Sequence, residues 1–159
     1  MASQGTPATA LLTKQKVKHT LHPYEVSPDS PNYGALVADA IGADPARVFK
    51  TLVTEVDGAL TVAVVPVTGE IDLKALAAAA GGKKAALADR DLAEKTTGYV
   101  RGGISPLGQR KRLPTVIDRS ALDADLIYVS AGKRGLQLRL APADLVRLTS
   151  AVLAPIART

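Results

Sequence analysis

The chain has 159 residues, of which 47% are hydrophobic, and it carries a net charge of +5 and no cysteine. That length and hydrophobic content suit one domain with a real core, and the missing cysteines exclude disulfides, thiolate metal sites and a cysteine nucleophile. The sequence lacks a long apolar run and a signal-peptide pattern, which predicts a soluble cytoplasmic protein without a membrane span. The positive charge favours a polyanionic partner such as RNA.

The first half of the chain mixes helix and strand signals. Thr6-Pro7 is typical of a helix N-cap followed by a first-turn proline, and it predicts a short helix that ends near Val17. Asp57-Gly58 separates two β-branched runs and predicts a hairpin whose first strand carries Lys50. The remaining predictions here are an extended segment at 19–26, a loop at 27–31, a helix at 35–41 and hairpin strands at 48–56 and 60–67.

The second half continues this mixture without a regular repeat. Its predicted helices are 71–80, 89–95 and 142–148, and its predicted strands are 113–117, 126–129 and 136–140. We therefore expect a mixed α/β fold in a single compact domain, with a mixed, largely antiparallel sheet or partly closed barrel surrounded by helices. Residues 1–5 are predicted to be a disordered tail, and residues 6–159 to form the domain.

Between helix and strand predictions lies a loop rich in glycine, Gly102 to Gln109, which runs into Arg110-Lys111-Arg112. Its glycines permit positive φ and close approach of the main chain to a ligand, while Pro106 favours an extended Ser105. An ordinary surface turn beside a solvated charge run is the alternative. The segment predicts a shaped, ligand-contacting loop beside a basic patch.

Other segments strengthen this interpretation. The set comprises the glycine loop, the FKTL run at 49–52, the GKRG run at 132–135, and Tyr24 with Asn32-Tyr33-Gly34. Their order and spacing resemble the YbaK-type aminoacyl-tRNA editing proteins, the free-standing Cys-tRNA(Pro) deacylases, from about Thr6 to the C-terminus. The resemblance implies a compact α/β editing domain that removes mischarged cysteine from tRNA(Pro), with help from prolyl-tRNA synthetase and without a cofactor.

Common hydrolase chemistry finds little support in the residues themselves. His19 and His22, three apart on a predicted strand, should point to opposite faces and cannot grip one metal ion, so no metal site is expected. Ser105 and Ser130 lie outside a G-x-S-x-G elbow, and the chain lacks the phosphate-binding and dinucleotide glycine motifs. Polar groups that bind and orient a substrate are what remains.

The resemblance implies that Lys50 and Thr51 line the substrate site, although an exposed strand lysine that protects a sheet edge is the ordinary alternative for Lys50. The residues expected to position the reacting ester are Lys50, Gly102 and Ser130, and those expected to bind substrate are Tyr24, Tyr33, Thr51, Gly103 and Ser105. The expected RNA-binding residues are Arg110, Lys111, Arg112, Lys133 and Arg134. Gln137 stands where some relatives carry an acid, so no acid-base role is expected there.

The resemblance also accounts for the missing nucleophile, because it implies that the thiol of the mischarged cysteine attacks its own ester and cyclises to a thiolactone. Proximity and orientation can lower such an intramolecular barrier without a protein nucleophile. Two alternatives remain open. The chain could be a non-catalytic module that binds RNA or a synthetase, or it could edit another small residue such as alanine, since a pocket discriminates one methylene by about 1–3 kcal/mol.

Overall fold

The computed structural model describes residues 5–158. Residues 1–4 of the predicted tail, and Thr159, lie outside the described residues. The helices are α1 (Pro7–Lys14), α2 (Tyr33–Ala40), α3 (Leu73–Ala79), α4 (Arg90–Thr97) and α5 (Pro142–Thr149). The strands are β1 (His19–Pro23), β2 (Phe49–Val56), β3 (Ala59–Pro66), β4 (Glu70–Ile71), β5 (Ala85–Leu87), β6 (Thr115–Asp118), β7 (Ile127–Lys133), β8 (Leu136–Leu140), β9 (Val152–Ala154) and β10 (Ala157–Arg158).

Side-chain caps begin several of the helices, and the cap at α1 is the one that the sequence predicts. Thr6 forms a capping box at α1, in which its hydroxyl accepts the Thr9 N–H at 3.1 Å. Asp72 accepts the Ala75 N–H at 3.0 Å at the start of α3. Because such caps satisfy helix N–H groups that have no intrahelical partner, they fix where each short helix starts.

A mixed sheet, here called the large sheet, contains strands in the order β5-β2-β3-β6-β9. The strands β2 and β3 form the predicted antiparallel hairpin, in which Lys50 faces Val65 across the ladder. Asp57 and Gly58 both adopt positive φ at its turn, as a tight hairpin of two residues requires. Strands β3, β6 and β9 pair in parallel.

A second sheet, here called the small sheet, orders its antiparallel strands β1-β8-β7. Its register shifts between Ser130 and Lys133, a β-bulge that includes Gly132 at φ 104°. The small sheet meets the large sheet through a parallel bridge between Val48 and Tyr128. The expected mixed α/β fold with largely antiparallel pairing is therefore confirmed.

The main hydrophobic core lies between the two sheets and the helices α1 and α5. It contains aliphatic side chains from both sheets together with Phe49, which is 2% exposed. A second cluster of buried side chains packs α3 against the other face of the large sheet. No helix among residues 5–158 is long and apolar enough to cross a membrane.

The short strands β4, β5, β9 and β10 were not expected from the sequence. Their two or three residues carry too little alternation to be recognised, and they exist because distant strands bind them. Asp118 secures this region, since its Oδ1 accepts the N–H groups of Ile156 at 2.9 Å and Ala157 at 3.0 Å. The buried carboxylate of Asp118 thus holds the main chain at the start of β10 in place.

Candidate active site

A cleft of about 520 Å³ opens between the first half of β2, helices α2 and α4, and the glycine loop. That volume lies within the range of small-ligand sites. Of the residues predicted to act on the substrate, those that line it are Tyr33, Lys50, Thr51, Gly102 and Ser130. Segments far apart in the sequence thus meet around one cavity.

Alternation along β2 directs Lys50 toward this cleft. Phe49 is buried in the core between the sheets, so the next residue lies on the opposite face of the strand. Lys50 is half-buried and has no ion-pair partner among residues 5–158. A positive charge whose amine is not neutralised by a carboxylate is therefore available to a substrate.

The edge of β2 beside Lys50 is open. On this side Val48 bridges Tyr128 of β7, and pairing with β5 begins only at Thr54. Within the described residues, the stretch 49–53 has no strand partner on this edge, apart from the Val53 carbonyl, which accepts the Ala88 N–H. Main-chain groups of β2 can therefore hydrogen-bond a ligand in the cleft.

The glycine loop forms the opposite wall. Gly102 lines the cleft at φ 84°, a conformation that other residues adopt with strain. The neighbouring Gly103 packs directly on the chain of β7, because a Cβ there would lie 2.6 Å from the Lys133 carbonyl carbon. The pair of glycines brings the backbone of this loop close to both the cleft and the small sheet.

Two tyrosines support this wall. The hydroxyl oxygens of Tyr24 and Tyr33 share a hydrogen bond of 2.7 Å, and Tyr24 is buried behind the cleft rather than lining it. Tyr33 also approaches the Gly102 carbonyl oxygen, at 3.5 Å. Burial, reinforced by the bond to Tyr24, raises the pKa of Tyr33 far above its usual value. Tyr33 is therefore a neutral hydrogen-bonding group.

Within residues 5–158, two residues of the cleft wall carry unpartnered polar atoms. Thr51 Oγ1 and Gln137 Oε1 are buried and have no hydrogen-bond partner among the described residues, and both residues line the cavity. Gln137 is 6% exposed and pairs in register with Ser130. Because an unsatisfied buried polar atom is costly, these atoms point to a polar ligand, which must donate a hydrogen bond to Gln137 Oε1 and can donate to or accept from the Thr51 hydroxyl. Gln137 was not among the residues expected to bind substrate, although its pairing with Ser130 on the neighbouring strand places it in the site.

Charge at the mouth of the cleft comes mainly from Arg90, Glu94 and Arg101, which lie outside the sequence motifs. Glu94 lines the cleft, but it is already held by Arg90 at 3.7 Å and by the Arg101 N–H at 2.7 Å. Arg101 also lines the cavity, and its carbonyl accepts the Nε–H of Arg134 at 2.7 Å. The mouth of the cleft therefore carries positive charge, and the Glu94 carboxylate already has an ion-pair and a hydrogen-bond partner.

The other predicted residues lie apart from the cavity. Ser105 is completely buried, and its Oγ accepts the Leu107 N–H. The basic run Arg110, Lys111 and Arg112 is exposed, and Arg112 lines a separate cavity of about 190 Å³ while it donates to Ser150. Substrate binding by Ser105 and Gly103, and RNA binding by the basic residues, stay predictions.

No group of His, Asp and Glu side chains within residues 5–158 is arranged to hold a metal ion. The strand pairing puts His19 opposite Leu140 and His22 opposite Gln137, three residues apart along β1. They therefore lie on opposite faces of the small sheet. The cleft offers a cation, hydroxyl groups, an amide oxygen and main-chain groups, which suit the orientation of a polar substrate.

Comparison with known proteins gives concordant matches. The family model described as the aminoacyl-tRNA editing domain matches residues 32–148. An Enterococcus faecalis protein with the provisional name Cys-tRNA(Pro)/Cys-tRNA(Cys) deacylase EbsC is 41% identical over 156 residues, which covers 96% of this chain and 93% of that protein. The region matched by the family model includes Tyr33, Lys50, Thr51, Gly102 and Ser130 of the cleft wall.

Solved structures share the fold. A crystal structure of a hypothetical protein has a TM-score of 0.84 at 23% identity and covers 96% of this chain and 100% of that one. Another, provisionally described as a trans-editing enzyme for prolyl-tRNA synthetase, has a TM-score of 0.81 at 21% identity, with coverage of 98% and 99%. At these identities the likeness establishes a common architecture.

Proposed function

The chain belongs to the aminoacyl-tRNA editing domain family, and from that membership and its cleft we propose that it is a deacylase that releases mischarged cysteine from tRNA(Pro). The observation that carries this proposal is the unpaired Lys50 beside an open strand edge, in a cleft whose wall also carries unsatisfied polar atoms. The E. faecalis relative, whose name assigns it Cys-tRNA deacylation, supports the choice of substrate. We expect the reaction to take place in the cytoplasm.

Within the cleft, each group has a part in orienting the ester. Lys50 holds an oxygen-rich part of the terminal adenosine, and the main chain around Gly102 donates to the ester carbonyl. Gln137 Oε1 accepts a hydrogen bond from the α-ammonium group, which satisfies its missing partner. An amide accepts without titrating, so this contact needs no change in the charge of the protein.

The reaction uses the substrate's own sulfur. The thiol attacks the ester carbonyl, a sulfur–carbon bond forms, the bond to the ribose oxygen breaks, and the thiol proton ends on that oxygen. The products are a thiolactone and free tRNA, and no water is consumed. Orientation supplies the acceleration, with an upper bound of roughly 7–11 kcal/mol for ideal intramolecular cases.

A panel of aminoacyl-tRNAs tests the proposal. Purified protein should release tRNA from Cys-tRNA(Pro) many times faster than buffer does, and faster than it releases tRNA from Ala-tRNA(Pro) or Pro-tRNA(Pro). Preferred release from Ala-tRNA(Pro) would indicate alanine editing. Protection of the ester would identify a binding module instead. Addition of prolyl-tRNA synthetase tests the proposed partnership, since a partner that delivers the tRNA should lower KM.

A further inference from the structure

The outer face of the small sheet carries a cluster that the cleft chemistry does not use. On this face, Thr20, Arg139 and Tyr128 are neighbours in one row across the three strands. His22, Gln137 and Ser130 are neighbours in the adjacent row on the same face. The rings of Tyr128 and His22 meet edge to face at 5.2 Å, and Arg139 Cζ lies 5.9 Å from the Tyr128 ring centre. We call Tyr128, His22 and Arg139 the aromatic platform.

The platform is continuous with the cleft at two points. Gln137 and Ser130, which line the cleft, share one row with His22. Tyr128 itself bridges Val48, which lines the cleft immediately before the first residue of β2. A chain that leaves the cleft along the small sheet therefore crosses the platform next.

The chemistry of the platform suits unpaired bases. Tyr128, His22 and Arg139 are each partly exposed, and Arg139 has no ion-pair partner among residues 5–158. Burial, and then the charge of Arg139, lowers the pKa of His22, which keeps the imidazole neutral at neutral pH. Aromatic rings and guanidinium planes are the groups on which proteins stack single-stranded bases.

We propose that the platform binds the single-stranded 3′ end of the RNA, with a base adjacent to the terminal adenosine stacked on Tyr128 and the backbone phosphate beside Arg139. This inference rests on the proposed function for the placement of the terminal adenosine in the cleft. The positive charge of Arg139 complements the phosphate, and no carboxylate is ion-paired to it within the described residues.

The test uses uncharged RNA hairpins that differ only in the last nucleotides, one with a four-nucleotide single-stranded 3′ end and one blunt. Wild-type protein should bind the overhang more tightly, and Tyr128→Ala should weaken that binding by about ten- to a hundredfold while blunt-end binding changes little. Tyr128→Phe, which keeps the ring, is the matched control and should bind as wild type does. Arg139→Gln should reduce the salt dependence of overhang binding.

If circular dichroism shows that Tyr128→Ala is unfolded, Tyr128→Thr takes its place, because threonine also removes the aromatic ring but favours strand conformation. Equal affinity of wild type and these variants for the overhang, or equal losses on both hairpins, would overturn the platform. A second arm compares kcat/KM on Cys-tRNA(Pro) and on cysteinyl-adenosine, which ends at the terminal nucleoside. The loss in Tyr128→Ala should be at least about ten times larger on the tRNA. If wild-type protein is inactive on both substrates, the deacylase proposal is refuted. The hairpin binding experiment would still show whether the aromatic platform binds a single-stranded 3′ end.

Discussion

The hydroxyl oxygens of Tyr24 and Tyr33 lie 2.7 Å apart, and this bond connects the segment after β1 to the first residue of α2. The two rings meet edge to face with centres 6.4 Å apart. Because Tyr33 also approaches the Gly102 carbonyl, the pair links the helix, the buried tyrosine and the glycine loop at one wall of the cleft. A change at either hydroxyl should therefore alter the shape of the site.

Tyr33→Phe should lower kcat/KM on Cys-tRNA(Pro) by about two- to tenfold, the usual value of one neutral hydrogen bond. The shape of the pH–rate profile between about pH 6 and 9 should match that of wild type, since the raised pKa keeps Tyr33 neutral there. Tyr24→Phe is the matched control and should give a similar reduction. A profile that changes shape in Tyr33→Phe would show that this hydroxyl exchanges a proton during the reaction.

Lys50→Ala should reduce kcat/KM by at least about a hundredfold, as the removal of a preorganised electrostatic interaction does. The free energy of unfolding should change by less than about 0.5 kcal/mol, because Lys50 has no ion-pair partner within residues 5–158. Steady-state deacylation and urea unfolding measure the two effects. Lys74→Ala, an exposed lysine of α3, provides the control and should leave both unchanged. Near-normal turnover by Lys50→Ala would refute the assignment.

The proposed cyclisation requires the thiol of the substrate. tRNA(Pro) charged with 2-aminobutyrate, which is nearly the size of cysteine but lacks sulfur, should bind and resist cleavage. Ser130→Ala should slow release from Cys-tRNA(Pro) as a positioning defect would, without a trapped acyl-enzyme. Mass spectrometry of the protein and of the released product checks both points. Cleavage of the aminobutyrate ester at the cysteine rate would indicate an enzyme-positioned water.

Neutralising Arg110, Lys111 and Arg112 together should weaken tRNA binding and reduce the slope of log Kd against log salt by about one for each phosphate that the variant no longer binds. The matched comparison is Arg101→Gln with Arg134→Gln, which removes charge at the mouth of the cleft. If the basic run binds the body of the tRNA, its neutralisation should affect whole tRNA more than a minihelix. An unchanged salt slope would identify the run as a solvated surface.

Gly103→Ala should destabilise the protein by about 1–3 kcal/mol, since the added Cβ would meet Lys133 main-chain atoms 2.6 Å away. Gly42→Ala is the comparison, because that site has a positive φ of 69° but open space around it. Strain alone costs about 1–2 kcal/mol there. Urea denaturation of both variants separates crowding from strain. Full stability in Gly103→Ala would mean that the loop moves away from β7 at no cost.

The local sequence determined much of the framework. The cap at Thr6, the Asp57-Gly58 turn and the apolar periodicity each depend on interactions a few residues apart, so they could be predicted from neighbours in the chain. The placement of Lys50 on a strand, and of the glycine loop near a basic run, follows from the same short-range signals. The short strands β4, β5, β9 and β10 could not be predicted, because distant partners stabilise them.

Tertiary structure decided which of these residues share the site. Gln137 became a cleft residue because β8 pairs with β7 and sets it beside Ser130, and Ser105 became a core residue because its loop turns inward. The positive mouth likewise depends on Arg134 reaching across to the Arg101 carbonyl, 33 positions away in the chain. Spacing along the sequence determines on which face of a strand or helix each side chain lies. Only long-range packing determines which faces meet around a cavity and which polar atoms stay available to a substrate.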